Sequence, residues 1–174
     1  DNQGQGSVSM GFIAGEREQG ENSVAIGIAA GTFNQGNNCT AIGLRAGHVT
    51  QGYGSICVGF QSGSENQGNK CIAMGDGSGY LNQKEFSIAI GIASGETEQG
   101  SDSIAIGLQS GTRWQGDKCI ALGSGAGFTS QGYSSIAIGP GSAADEQKEY
   151  SIAIGNSAGY SSQKTHSIAI GYLA

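Results

Sequence analysis

The chain is short of most of what an ordinary globular domain is built from. Pro occurs once among 174 residues, at Pro140, aromatic residues make up 7% and charged residues 13%. Histidine occurs twice, too sparsely for a repeated catalytic or metal-binding pattern. No apolar run is much longer than about five residues, whereas a helix crossing a bilayer takes ~20, so membrane insertion is not expected. Eight Lys and Arg against fourteen Asp and Glu give a net charge of −6, and the eight cations are scattered. Without a basic stripe, neither nucleic acid nor an anionic membrane is an expected partner. No leader pattern opens the chain, which begins in mid-repeat, as a processed or excised segment would. Gly is abundant, with 33 residues, but it does not recur every third position, which excludes collagen. The apolar pairs keep a fixed phase, which argues against disorder.

That phase is the main signal. Gln3, Gln19, Gln35, Gln51, Gln67, Gln83, Gln99, Gln115, Gln131, Gln147 and Gln163 fall sixteen residues apart. Counting each unit from its Ser or Cys gives [S/C]-[I/V]-A-I-G-x-x-[A/S]-G-x-x-x-Q-[G/K]-x-x. Units begin at residues 7, 23, 39, 55, 71, 87, 103, 119, 135, 151 and 167. Position 5 is Gly in all eleven, and position 9 is Gly in nine of the ten units that reach it, Ala143 being the exception.

Positions 1–4 alternate small and β-branched residues, as a short strand with two distinct faces does. Gly at positions 5, 9 and 14 marks bends that need either a positive φ or a close backbone approach. Positions 10–13 predict a second short strand. Sixteen residues are too few for a strand-helix-strand crossover, and the frequent Gly opposes helix. The expected fold is therefore all-β: a parallel β-solenoid (β-roll) with sixteen residues per coil, about eleven coils and no caps, forming one repeat domain over residues 1–174. At ~4.8 Å per coil the rod would be roughly 50 Å long.

All 22 charged side chains stand at positions 6, 7, 10–12 or 14–16. Both faces of the strand at positions 1–4 are thus free of charge along the whole rod, and the interior accounts for only one of them. Two arrangements satisfy the pattern. In one, the branched residues at positions 2 and 4 point inward. In the other, Ser or Cys at 1, Ala at 3, Ala or Ser at 8 and Gln at 13 fill a tight interior, and the branched face points out. The second is favoured, because the opposite limb offers inward isoleucines no regular apolar partner: position 11 reads Arg17, Phe33, Val49, Glu65, Leu81. The outward face would then carry Val24, Ile26, Ile42, Ile56, Val58, Ile72, Ile88, Ile90, Ile104, Ile106, Ile120, Leu122, Ile136, Ile138, Ile152, Ile154, Ile168 and Ile170. Such a stripe, of order 600 Å², exceeds what a soluble monomer usually exposes, so this is the candidate oligomer face. The Gln column reads as an interior ladder in which each side-chain amide donates to the next, because a buried amide without a partner is costly.

Cys39, Cys71 and Cys119 take position 1 and Cys57 position 3. Cys39 and Cys71 would be roughly 9–10 Å apart, and Cys57 about 8 Å from either, beyond the ~7 Å that a disulfide tolerates. All four read as small buried thiols. Asp1 enters at position 11 and Ala174 stops at position 8. Stacked copies would continue the repeat almost in phase, as would a segment of a longer rod.

The pentad Ser23-Val24-Ala25-Ile26-Gly27 and the Ser-Ile-Ala-Ile-Gly segments beginning at Ser87, Ser103, Ser135, Ser151 and Ser167 resemble the head repeats of trimeric autotransporter adhesins. Similar repeats occur in phage and viral fibre proteins. The resemblance implies a left-handed parallel β-roll, three chains side by side, at the tip of a surface adhesin. The sixteen-residue period, longer than the adhesin unit, and the Gln followed by Gly or Lys set this chain apart.

Catalytic chemistry finds no footing in the sequence. His48 and His166 fall at positions 10 and 16, roughly 35 Å apart along the rod, and read as solvated turn residues. The acidic groups around Glu16, Glu96 and Asp145 skip coils and lack a calcium-roll pattern. No enzyme activity, metal or cofactor is expected. Phe12, Phe60 and Tyr172 share position 6, Tyr80, Phe128 and Tyr160 position 10, and Trp114 stands at 12; most are coils apart, so no continuous stacking platform is expected. The expected function is a structural and adhesive rod in an extracellular, cell-surface or virion-surface fibre. Its partners would be further copies of itself and a host surface or matrix ligand. The alternative is ice binding by the flat uncharged face, although that face carries Thr only at Thr40.

Overall fold

The computed structural model describes residues 3–174; the placement of Asp1 and the entry of the chain at position 11 lie outside the described residues. Eleven three-residue strands, from Val8–Met10 to Ile168–Ile170, occupy positions 2–4 of successive units. They form one parallel sheet in sequence order, each residue pairing with the residue sixteen further on, as Ile88 does with Ile104 and Ala89 with Ala105. The all-β parallel solenoid with a sixteen-residue coil is therefore the fold. A second strand type, at positions 11–13, forms two four-stranded parallel sheets, from Arg17–Gln19 to Glu65–Gln67 and from Thr97–Gln99 to Asp145–Gln147.

The coil closes because turns as well as strands bond along the axis. Gly91 N–H donates to Met74 O, Ala93 N–H to Asp76 O and Gly95 N–H to Ser110 O, and the same contacts recur along the rod. Backbone groups in the bends thus find partners in neighbouring coils, which lets tight corners stand without side-chain caps. Each coil carries positive φ at positions 5, 7 and 9, and again at 12 and 16. Gly fills position 5 because a Cβ there would strike the next coil: on Gly91 it would lie 2.5 Å from Gly107 O. Position 14 is Gly for another reason. Its φ is not positive, but a Cβ on Gly52 would lie on the backbone of Gly68.

The break between the two smaller sheets falls at the coil carrying Lys84, where Lys replaces that Gly. Only Leu81 bridges its neighbours there, Glu65 and Thr97. Lys148 also takes position 14, yet the strand before it, Asp145–Gln147, keeps its three residues, so the lysine alone does not set the break.

The interior is narrow. Ala25, Ala41, Ala73, Ala89, Ala105, Ala121, Ala137 and Ala153 at position 3 are fully buried, as are the Ser and Cys of position 1 from Ser23 to Ser151. Nothing larger than Gln is fully enclosed. The arrangement with a tight interior and outward branched residues is the one the chain adopts.

Candidate functional site: the outward branched face and the glutamine column

The outward face follows from the two-residue period of the strand: with Ala at position 3 enclosed, positions 2 and 4 must face the other way. Val24, Ile72, Ile88, Ile90, Ile104, Ile120, Leu122, Ile136, Ile138 and Ile152 are half-buried, as are Ile26 and Val58. Ile42, Ile56, Ile106 and Ile154 are more open, and the last strand is the most open, with Ile168 at 67% and Ile170 at 65%. The half-burial inside the rod comes from neighbours one coil away, which cover the flanks of each side chain and leave its tip in solvent. No charged group interrupts positions 2 and 4.

One part of this surface escaped the sequence reading. Position 6, just past the Gly bend, adds Phe12, Ile28, Leu44, Phe60, Ile92 and Leu108, all exposed. The apolar surface is therefore broader over most of the first seven coils, and it narrows where position 6 becomes Ser124, Pro140 and Asn156. The signal was legible as an apolar column at position 6, but single aromatic residues there read as isolated turn residues.

From Gln19 to Gln147, nine of the eleven, every Gln is at most 2% exposed; Gln163 is 7% exposed, and Gln3 lies open at the end. Nine of these side chains donate across the coil rather than simply running along it. Gln99 Nε2 donates to Ile88 O at 2.8 Å, and the equivalent bond recurs at Gln19, Gln35, Gln51, Gln83, Gln115, Gln131, Gln147 and Gln163. Amide-to-amide bonds join only four pairs: Gln35 to Gln51, Gln67 to Gln83, Gln115 to Gln131 and Gln147 to Gln163. The column is thus a set of rungs with local pairing, because the amide hydrogens are mostly taken by backbone carbonyls.

Which hydrogen goes where follows the residue at position 1. Where the next unit starts with Ser, the amide also donates to its carbonyl, as Gln51 does to Ser55 and Gln131 to Ser135. Where it starts with Cys39, Cys71 or Cys119, the amide turns to the next Gln instead. At the same steps the preceding Ser23, Ser55 or Ser103 accepts from the Cys N–H and donates forward to Gly36, Gly68 or Gly116. Among the described residues, four buried side-chain oxygens remain without a partner, those of Gln35, Gln99, Gln115 and Gln147.

The four thiols are free and buried. Burial pushes the thiols of Cys39, Cys71 and Cys119 above their ordinary values. Cys57, fully enclosed, is raised furthest by burial, with Cys39 and Cys71 nearby adding to the effect. None is placed to act as a nucleophile, since the thiolate is what reacts. Among the described residues, no group of three or more His, Cys, Asp or Glu could hold a metal ion.

The aromatic residues are less scattered than expected. Tyr133 packs edge-on to Tyr150 at 5.5 Å, and Tyr150 stacks on His166 at 5.1 Å and 10°. Lys118 extends this column by sitting over the Tyr133 ring. His166 is therefore part of a three-ring column at positions 15 and 16, and His48 meets Phe33 edge-on at 5.5 Å. The sequence reading weighed positions 6, 10 and 12, and the neighbouring 15 and 16 columns were missed because successive rings change position by one.

Two stretches, residues 19–46 and 130–158, match the family model of the YadA head domain repeat. The resemblance to trimeric autotransporter adhesin heads read from the pentads thus holds for these two copies. No curated protein and no solved structure matches the chain.

Proposed function

We propose that the chain is a structural and adhesive rod that buries its outward branched face against further copies of itself. The observation that carries this reading is the continuous, charge-free face at positions 2 and 4, with tips left in solvent on eleven consecutive strands. Three residues of strand by eleven coils span about 10 by 50 Å, and position 6 widens the patch. Monomers rarely expose so large a contiguous apolar area. The match to adhesin head repeats supports the same assignment, since such heads are surface domains that typically form trimers. Placement in an extracellular, cell-surface or virion-surface fibre follows from that likeness. A matrix or host-surface ligand would meet the corners that vary from coil to coil, and the regular interior would act only as scaffold.

Replacing Ile104 and Ile106 with Asp tests the reading, because both side chains face outward and neither contributes to the interior. The double variant is expected to keep its β circular dichroism while its mass in solution falls to that of one chain. Unchanged assembly in a folded variant would refute burial of this face.

A further inference from the structure

Trp114 is the chain's one tryptophan, and it stands where a tryptophan is out of place. Position 12 is left-handed in every coil and is otherwise filled by Asn, Ser, Thr or Glu; Trp114 holds φ at 52° with its side chain 60% exposed. A bulky residue kept in a strained conformation with its ring in solvent is unfavourable for folding, and such outliers concentrate at binding sites. The indole lines a groove of about 270 Å³ together with Ser130, Gly132, Lys148 and Glu149.

The groove lies on the corner formed by positions 12–15, where another groove, lined by Gly4, Gly20 and Glu21, occurs with Gly at position 14. In most coils Gly at position 14 packs on the backbone of its neighbour. Lys148 takes that position here, and a Cβ built on Gly132 would still lie 2.6 Å from Glu149 N and 2.7 Å from Lys148 C, so the backbones stay closely stacked and the lysine side chain points away from them. Four coils earlier, roughly 19 Å away, the same Gln-Lys-Glu triplet recurs at residues 83–85. There a second groove of about 440 Å³ is lined by Asn66, Asn82, Lys84, Glu85 and Ser101. Asn66 donates to Asn82 Oδ1, and Asn82 to Glu98, so a row of amides and carboxylates runs along its wall.

We infer that these two grooves are subsites for one uncharged polysaccharide. The indole offers a flat apolar face with a polar edge, which suits a sugar ring that is apolar on one side and rimmed with hydroxyls. Ser130, Lys148 and Glu149 supply donors and acceptors around it, as Asn66, Asn82, Lys84 and Glu85 do in the other groove. Each groove holds one Lys and one Glu, the lysines facing Asp117 and Glu146 at 3.6 and 3.7 Å, and the chain carries a net charge of −6, so nothing favours a polyanion. One indole subsite and one polar subsite on the same corner suit a chain that repeats, since the second contact forms at high effective concentration. The corner is separate from the branched face, so the inference stands apart from self-association.

The single indole makes a direct probe. Its emission is to be followed during titration with uncharged hexasaccharides of β-1,4-linked glucose, mannose and N-acetylglucosamine, with a heparin hexasaccharide as the charged comparison. Light scattering on the same samples reports the assembled mass. A saturable change with at least one uncharged sugar is expected, with a dissociation constant of about 1 mM or tighter. Lys148→Gly, which removes the ammonium from the groove, should weaken it by about tenfold or more with fold and mass unchanged. Trp114→Ala, followed by calorimetry, should do the same. No response to any of the uncharged sugars, an equal or stronger response to heparin, an unaltered response in Lys148→Gly, or a change that tracks only protein concentration would each overturn the inference.

Discussion

Gln99 shows how the interior works and where it is incomplete. Its amide reaches Ile88 O at 2.8 Å and Ser103 O at 3.4 Å, but its own Oε1 has no partner. At two other coils that oxygen is satisfied from position 3: Ser9 Oγ donates to Gln19 Oε1 at 2.6 Å and Cys57 Sγ to Gln67 Oε1 at 2.8 Å. Position 3 in the Gln99 coil is Ala89, which can donate nothing. Ala89→Ser is therefore predicted to stabilise the chain by about 1 kcal/mol, the net value of one buried hydrogen bond, measured by denaturant unfolding. Gly95→Ala should do the opposite. Its Cβ would lie 2.6 Å from Gln99 Oε1 at a φ of +50°, and a loss of about 1–3 kcal/mol is expected in the same measurement. The thiols supply a kinetic test. With all four buried and raised above their ordinary values, alkylation of the native protein should stay slow as pH rises through the range where a free thiol ionises, and speed up only on unfolding. Rapid native labelling would contradict the packing of the interior.

Strands and corners were legible in the sequence to different degrees. The strand at positions 2–4 followed from the alternation of branched and small residues, and its sheet runs unbroken through all eleven units. The second strand was expected at positions 10–13 and forms at 11–13, since position 10 still belongs to the bend. Gly at positions 5 and 9 announced two left-handed sites, but those at 7, 12 and 16 were invisible, because Ala29, Trp114 and Lys118 carry no conformational signature. They are held by bonds between coils, which no single unit's sequence displays. The interruption at the Lys84 coil was also hidden, because Lys at position 14 recurs at Lys148 beside a whole strand and so marks no break by itself.

Taken as a whole, the molecule has unusual proportions. Its interior contains almost nothing but Ala, Ser, Cys and Gln, while its largest aliphatic side chains lie outside. An isolated rod of this kind leaves much of its available hydrophobic stabilisation unrealised, because the branched side chains that contribute most on burial keep their tips in water. Association along the branched face would recover it, and charge confined to the other corners would keep that face free for its own kind. Sequence alone left the direction of the isoleucines open; it was the enclosure of Ala at position 3 that set it. The most direct test of the account is the mass of the purified chain in dilute solution, by sedimentation or light scattering. A discrete multiple of 17.5 kDa is predicted, and a folded monomer with its branched face fully solvated would contradict it.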